Sequence, residues 1–363
     1  MKLDSVQIRN LRNLQHVTFK PSHGVNFILG INGSGKSSIL EAIHYLGFGR
    51  SFRTSKHKNV IQNEQESFTV FCECLEDSTT QRLGLSRSIN DTVSVSINGI
   101  KGNKVSDLVS LLPVQIFTPQ SSDILLGAPK LRRKYIDWCL FHVEHSFLTC
   151  SNAYSRLLKH NNALCRKQQV GYANPQRVYW TDLLAQYGSE LTEFRNAMMT
   201  RLIPLITSNL AQFLPEFCVE ISYYRGWEKG LELNEALTKS ADRDYKNGYI
   251  SVGPHKADVR FKISGKPAQE VLSRGQLRML VAALQLATTQ CLMSYTQKTC
   301  IFLLDDVGAE LDAAKREVFI DRLLESNTQL FVTAIEEHQL EFIDKYQNKK
   351  MFHVEHGQVR EES

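Results

Sequence analysis

Lys36 and Ser37 close the run GINGSGKS, Gly30 to Ser37, which has the spacing G-x-x-x-x-G-K-S. Residues of these types at this spacing can hold a chain of phosphates. The backbone N–H groups of Gly30, Ile31, Asn32, Gly33, Ser34 and Gly35 can turn inward around phosphate oxygens. Side chains bearing Cβ would obstruct that turn at the three glycines. Lys36 then reaches the β- and γ-phosphates, the Ser37 hydroxyl ligates Mg²⁺, and Ser38 follows at the mouth of a helix whose positive end favours the anion. The chemistry predicted is that of a nucleoside triphosphate with its Mg²⁺.

A second set of candidates lies far downstream in IFLLDD, Ile301 to Asp306. Four apolar residues fit a central parallel strand, and carboxylates emerge at its C-terminal end, where ligands bind in such sheets. Asp305 is the expected carboxylate on the Mg²⁺ side. Asp306 is expected to orient or deprotonate the attacking water, which makes Asp306 and Lys36 the catalytic candidates. An apolar strand ending in two aspartates is common by itself; beside a P-loop it becomes specific.

These residues need a scaffold, and the pattern supplies one. The runs LDSVQI, HVTF and GVNFILG read as strands, the last delivering the P-loop. In KSSILEAIHYLGF, Ile39, Ala42, Ile43 and Leu46 fall on one face of a helix. FTVFCECL, RLGLSRSI, TVSVSI and PVQIFTP read as further strands, with Asn98-Gly99 as a tight hairpin turn. From about Lys130 to Leu214 helix formers dominate, with Pro175 and Pro204 among the few breakers. CVEISYY, ADVRFKIS, CIFLLD, QLFVTA and MFHV return to strand character. The expected architecture is a discontinuous α/β domain, residues 1–125 and 250–363, interrupted by a mainly helical insertion, residues 126–249.

The whole composition agrees with a soluble globular chain of 363 residues, 42% hydrophobic and 22% charged. No apolar run approaches the length of a membrane span, and charges crowd the first twenty residues, so neither a span nor a secretory signal is read. A net charge of +5 fits a nucleic-acid partner without demanding one. The eight cysteines match neither a redox nor a zinc spacing and read as reduced thiols in a cytoplasmic protein. FHVEH occurs twice, at Phe141–His145 and Phe352–His356, once in helical and once in strand context, so it reads as coincidence and not as a metal site.

LSRGQ, Leu272 to Gln276, resembles the LSGGQ-type motif of ATP-binding-cassette (ABC) proteins, with Arg274 in place of a glycine. The resemblance implies that Ser273, Arg274, Gly275 and Gln276 meet the γ-phosphate of ATP held by a second copy of the chain, from the N-terminus of a helix. ATP would then glue two subunits head to tail, and hydrolysis would release them. Ser273 as a plain helix N-cap is the alternative. AELD, Ala309 to Asp312, resembles the loop that touches the opposite subunit in such dimers. Thr333 stands where many cassette ATPases carry a switch histidine, with His338 later in the chain, and Asp306 replaces the usual glutamate. Both departures predict slow turnover.

Together the motifs resemble the RecF family of bacterial recombination mediators, related to Rad50 and SMC heads. SFRTS (Ser51–Ser55), PQSSDILLGAPKLRRKYID (Pro119–Asp137) and LLDDVGAELDAAK (Leu303–Lys315) carry the likeness. VGPHKADV (Val252–Val259) resembles a GPHRDD element with Lys256 and Ala257 departing from it. The resemblance implies an ABC-type, Rad50-head-like ATPase with a helical second domain. It also implies a weak, DNA-dependent ATPase acting as a switch at single-strand gaps and stalled forks. RecO and RecR would be its partners in loading RecA, for repair and the SOS response, in the cytoplasm at the nucleoid. It implies too that Arg12 and Asn13 approach the nucleotide and that Gln120 serves as a Q-loop contact. The sequence itself offers two basic clusters for duplex or gapped DNA with little sequence preference: Arg50, Arg53, Lys56 and Lys58, and Arg132 and Arg133 beside Lys130 and Lys134. A transporter's nucleotide-binding subunit shares the ATP motifs but is usually shorter and lacks such an insertion. An SMC-like tether would need long heptad segments, and none is sustained here.

Overall fold

The computed structural model describes residues 1–76, 79–166, 175–306, 312–334 and 344–362. The chain divides into two units, Met1–Ser121 with Ala282–Ser363, and Ser122–Val281.

The first unit is built on two six-stranded sheets. One comprises β1 (Lys2–Leu11), β2 (Leu14–Phe19), β4 (Ser67–Glu76), β5 (Thr79–Ser88), β6 (Val93–Ile97) and β7 (Ile100–Lys101), antiparallel in the order β2-β1-β4-β5-β6-β7. The other comprises β3 (Val25–Leu29), β8 (Val114–Phe117), β12 (Ile301–Leu304), β13 (Gln329–Ala334), β14 (Lys349–Glu355) and β15 (Gln358–Glu361). Its order is β15-β14-β3-β13-β12-β8, parallel throughout except at the edge strand β15. The central strands β3, β12 and β13 are buried along their whole length, as apolar runs in a covered parallel sheet must be.

Helix α1 (Lys36–Phe48) follows the P-loop and shares one apolar cluster with both sheets, through Ile8 and Val70, Ile43 and Leu46, Leu303 and Phe331. The one-sided spacing of Ile39, Ala42, Ile43 and Leu46 therefore understates its burial. Glu41, His44 and Tyr45 are buried as well, because a helix between two sheets keeps no watery face. Gly47 permits the close approach: a Cβ there would lie 2.2 Å from Val114 Cγ2. Asn98 and Gly99, at φ 52° and 83°, form the expected two-residue turn joining β6 to β7. Cys72 and Cys74 share the buried side of β4 with Sγ atoms 3.6 Å apart, and the cysteines are free thiols. The short helix α2 (Val105–Leu111) completes the run before β8.

In the second unit, α3 (Asp123–Leu126), α4 (Pro129–Val143), α5 (Phe147–Arg166), α6 (Pro175–Phe213) and α7 (Leu233–Asn247) accompany a small antiparallel sheet. Pro175 opens α6 as a proline can at a first helical position, whereas Pro204 lies inside that 39-residue helix without ending it. The sheet, β11-β10-β9, joins β9 (Glu220–Tyr224), β10 (Asp258–Ile263) and β11 (Lys266–Pro267). This pairing corrects the boundary read from sequence at residue 249. Because β10 finds its partner in β9, the segment through α8 (Ala268–Val271) to Val281 belongs with the helices. Helix α9 (Arg274–Thr296) runs across the division, and α10 (Ala313–Glu325) follows β12. Of the FHVEH copies, the first spans the end of α4 and the second lies along β14. No helix among the described residues is long and apolar enough to cross a membrane.

Candidate nucleotide site

β3 delivers Gly30 into the loop, and α1 leaves from Lys36, so strand and helix present the loop backbone to one cavity. That cavity, about 830 Å³, is lined by first-unit residues, among them Asn13, Gly33, Lys36, Ser37, Asp305, Asp306 and Thr333. Gly33 and Gly35 hold φ of 82° and 124°, values that L side chains rarely adopt, and the space a Cβ would fill at Gly33 is open. Asn13 braces the loop from behind: its Nδ2 donates to Ser34 O at 2.9 Å, and its Oδ1 accepts from Ser38 Oγ at 3.0 Å. Gly357 N, in the turn between β14 and β15, also donates to Ser34 O at 2.9 Å. Ser38 thus holds Asn13, and Asn13 holds the loop.

Lys36 Nζ donates to the carbonyls of Gly30 and Ile31, the latter at 3.0 Å. Burial pulls its pKa down, against the opposing pull of Asp306 and Asp305. The amine is tethered above the loop, where phosphate oxygens could take over its hydrogen bonds. Across the cavity, Ser37 Oγ donates to Asp305 Oδ1 at 2.9 Å, although 268 positions separate them. Burial raises the Asp305 pKa, and the hydrogen bonds from Ser37 and Thr333 offset part of that rise. A hydroxyl and a carboxylate this close are the hard oxygen donors that Mg²⁺ selects.

Asp306 follows with a left-handed backbone, φ 51°. Its Oδ1 is buried with no hydrogen-bond partner among the described residues, and so is Ser34 Oγ. Buried orphans of this kind are rare in finished cores and fit a pocket that completes itself with a ligand. Ser37 and Asp305 would hold the metal, which supplies charge neutralisation between the β- and γ-phosphates when bound.

Sequence reasoning missed Glu41. Its fully buried carboxylate takes a two-pronged bond from Arg12, Nε to Oε2 at 2.9 Å and Nη2 to Oε1 at 3.0 Å. Ser51 Oγ donates to the same carboxylate, and Arg53 Nη1 stands 3.7 Å from it. An acidic residue on the predicted polar side of α1 gave no signal until burial of that side was known. Arg12 and Arg53 both line the cavity. Arg53 thus faces the cavity while its side chain stays 45% exposed. Arg50, Lys56 and Lys58 are exposed and carry no ion pair among the described residues. Gln120 is exposed on a 3₁₀ turn, Pro119–Ser122, and is not among the residues lining the cavity.

In the second unit Arg132 and Arg133 are both engaged within the fold. Arg132 grips Asp258 through Nε at 2.7 Å and Nη2 at 3.3 Å, and its Nη1 donates to the carbonyls of Ile124, Leu125 and Gly127. Arg133 Nη1 donates to Ala257 O at 2.7 Å. The retained acid of the GPHKAD element, Asp258, is thus the partner of Arg132, while Ala257 contributes only its carbonyl. Ser273 and Gln276 form a reciprocal cap at the start of α9: Ser273 N donates to Gln276 Oε1 at 2.9 Å, and Gln276 N to Ser273 Oγ at 3.3 Å. Ser273, Arg274 and Gly275 are exposed there, so the helix-cap reading holds and leaves them accessible. Of AELD, only Asp312 is described, as the N-cap of α10. His338 lies outside the described residues.

Comparison with known proteins adds the lineage. A family model described as the RecF/RecN/SMC N terminal domain matches residues 2–360. The DNA replication and repair protein RecF of Vibrio parahaemolyticus is 38% identical over 99% of each chain, and that of Haemophilus influenzae 40% over 98% of each. Among solved structures, the recombination mediator protein RecF with ATP, of the RecFOR pathway, superposes with a TM-score of 0.88 at 26% identity, covering 100% of this chain and 98% of that one. An Smc head bound to a winged-helix domain of ScpA, at TM-score 0.59 and 17% identity, shares the fold.

Proposed function

The chain belongs to the RecF family, a DNA replication and repair lineage of ATP-binding proteins with the ABC-type head fold, and on that premise we propose that it is an ATP-gated clamp on DNA. The carrying observation is the convergence of Lys36, Ser37, Asp305 and Asp306 on one cavity in which Asp306 Oδ1 has no partner among the described residues. In this reading ATP binds with Mg²⁺ at Ser37 and Asp305. A second copy then docks its Ser273 hydroxyl and Gly275 N–H against the γ-phosphate. Hydrolysis follows by attack of a water oxygen on the γ-phosphorus. The bridging bond to ADP breaks, and Asp306 accepts the water's proton and later returns it to solvent. An aspartate, shorter than glutamate by one methylene, makes that step slow and the closed dimer long-lived.

The closed dimer would bind duplex and gapped DNA through phosphates, with Arg50, Lys56 and Lys58 contributing. Its cellular partners in this reading are RecO and RecR, acting before RecA at gaps and stalled forks, in the cytoplasm at the nucleoid. Sedimentation with ATP, ADP or no nucleotide tests the clamp. Association is expected with ATP only, prolonged in Asp306→Asn and lost in Ser273→Ala and in Lys36→Ala. Equal association with ADP, or an unaltered dimer in Ser273→Ala, refutes it.

A further inference from the structure

Thr333 is the penultimate residue of the buried strand β13, beside β12, and its side chain meets the two aspartates that leave β12. Its Oγ1 accepts the backbone N–H of Asp306 at 2.8 Å and donates to Asp305 Oδ1 at 3.0 Å. Asp305 Oδ1 also receives Ser37 Oγ at 2.9 Å. A single fully buried hydroxyl therefore touches the metal-side carboxylate and the backbone of the residue carrying the water-side carboxylate.

That backbone is in an uncommon state. Asp306 sits at φ 51°, in the left-handed region that few non-glycine residues adopt. Its N–H has its hydrogen bond with Thr333 Oγ1. In an extended conformation the carboxylate would leave from a different direction, and the orphaned Oδ1 would not sit where it now does, at the cavity wall. The two bonds have opposite directions. A hydroxyl can accept one and donate the other, whereas an amine donates only and a methyl does neither.

We infer that Thr333 is the positioning residue of the hydrolytic step: its hydroxyl fixes the backbone turn that aims Asp306 at the attacking water. It exchanges no proton with substrate and acts only through Asp305 and Asp306. The inference rests on the ATPase reading and deepens it by separating two jobs within one cavity. Lys36, Ser37 and the loop hold the nucleotide; Thr333 decides whether the held nucleotide is cleaved.

The test compares Thr333→Val, which keeps shape and removes the hydroxyl, with Thr333→Ser, which keeps the hydroxyl. Single-turnover hydrolysis, equilibrium binding of a fluorescent ATP analogue and ATP-driven dimerisation are read on the full chain. Thr333→Val is expected to cleave ATP roughly 10- to 100-fold more slowly while binding and dimerising within about twofold of the unaltered chain, as for other residues that orient a reacting group from behind. Thr333→Ser is expected to recover most of the rate. A valine variant that cleaves at the unaltered rate overturns the inference alone. So does a serine variant as slow as the valine one. If the valine variant does not fold, Thr333→Ala against Thr333→Ser reads the same hydroxyl. Loss of binding in parallel with cleavage overturns the separation of jobs. No cleavage by the unaltered chain overturns the ATPase reading together with this one.

Discussion

The two units spend their polar residues differently. In the first, polar groups converge on a cavity, and Asp306 Oδ1 and Ser34 Oγ are buried with no hydrogen-bond partner among the described residues. In the second, several buried polar groups form locks around one loop, although Trp138 Nε1 is buried without a hydrogen-bond partner among the described residues. Arg195, almost wholly buried, bonds Asp137 through Nε at 2.8 Å and Nη2 at 2.9 Å, and Pro254 O through Nη1 at 2.7 Å. His255 donates from Nε2 to Ile250 O at 2.9 Å and accepts the Tyr154 hydroxyl at Nδ1, 2.7 Å away. With Arg132 on Asp258 and Arg133 on Ala257 O, the GPHKAD loop is fastened to α4, α5 and α6. These bonds hold the loop in place against the three helices. Polar groups that converge on a cavity, as in the first unit, fit a ligand instead.

The contrast can be broken most forcefully at Asp137. Asp137→Ala strands the Arg195 guanidinium in a dry environment, and about 3–5 kcal/mol of stability is expected to be lost. The loss should be confined to the second unit, as read by hydrogen exchange during urea titration. The next effect belongs to the first unit. MgADP at about a hundredfold its dissociation constant should stabilise it by about 2.7 kcal/mol. Exchange protection should rise around Gly30–Ser38 and not in α4–α7, and Lys36→Ala should abolish it. Protection spread equally over both units would erase the distinction.

Acid should not discriminate between them. Burial lowers the pKa of His44 to about 3 in the first unit and of His255 to about 4 in the second. Both are below the ordinary value of 6.5, so both imidazoles are neutral in the fold. Their stabilisation is complete above pH 6.5 and is lost as pH falls toward the folded values. At pH 5 each should cost about 2 kcal/mol relative to pH 8, a share that His44→Phe removes from the first unit only. The smallest effect concerns DNA. Lys56→Ala is expected to lower the slope of log affinity against log salt by about one, whereas Arg132→Lys should alter stability and leave that slope unchanged.

What could be read from sequence follows the range of the interactions. The P-loop, the IFLLDD strand and the Asn98-Gly99 turn are local patterns, each set by residues within about eight positions, and they stand where the letters put them. The bond of Arg132 to Asp258 was not legible because 126 positions separate the two. Glu41 was missed because the burial of α1 on both sides depends on two sheets assembled from distant strands. Thr333 could be noticed only as a departure from an expected histidine. Its grip on Asp306 depends on β12 and β13 being neighbours.

The brace on the P-loop has a consequence for how the chain is made. Ser34 O receives the Gly357 N–H, and Gln329 closes on the Leu3 backbone across 326 positions. The cradle is encoded early and completed late. During synthesis the loop waits, half supported, while the intervening helices can already have closed on themselves. Full support of the cradle therefore depends on residues translated more than three hundred positions after it, and a chain halted before Gly357 lacks that brace.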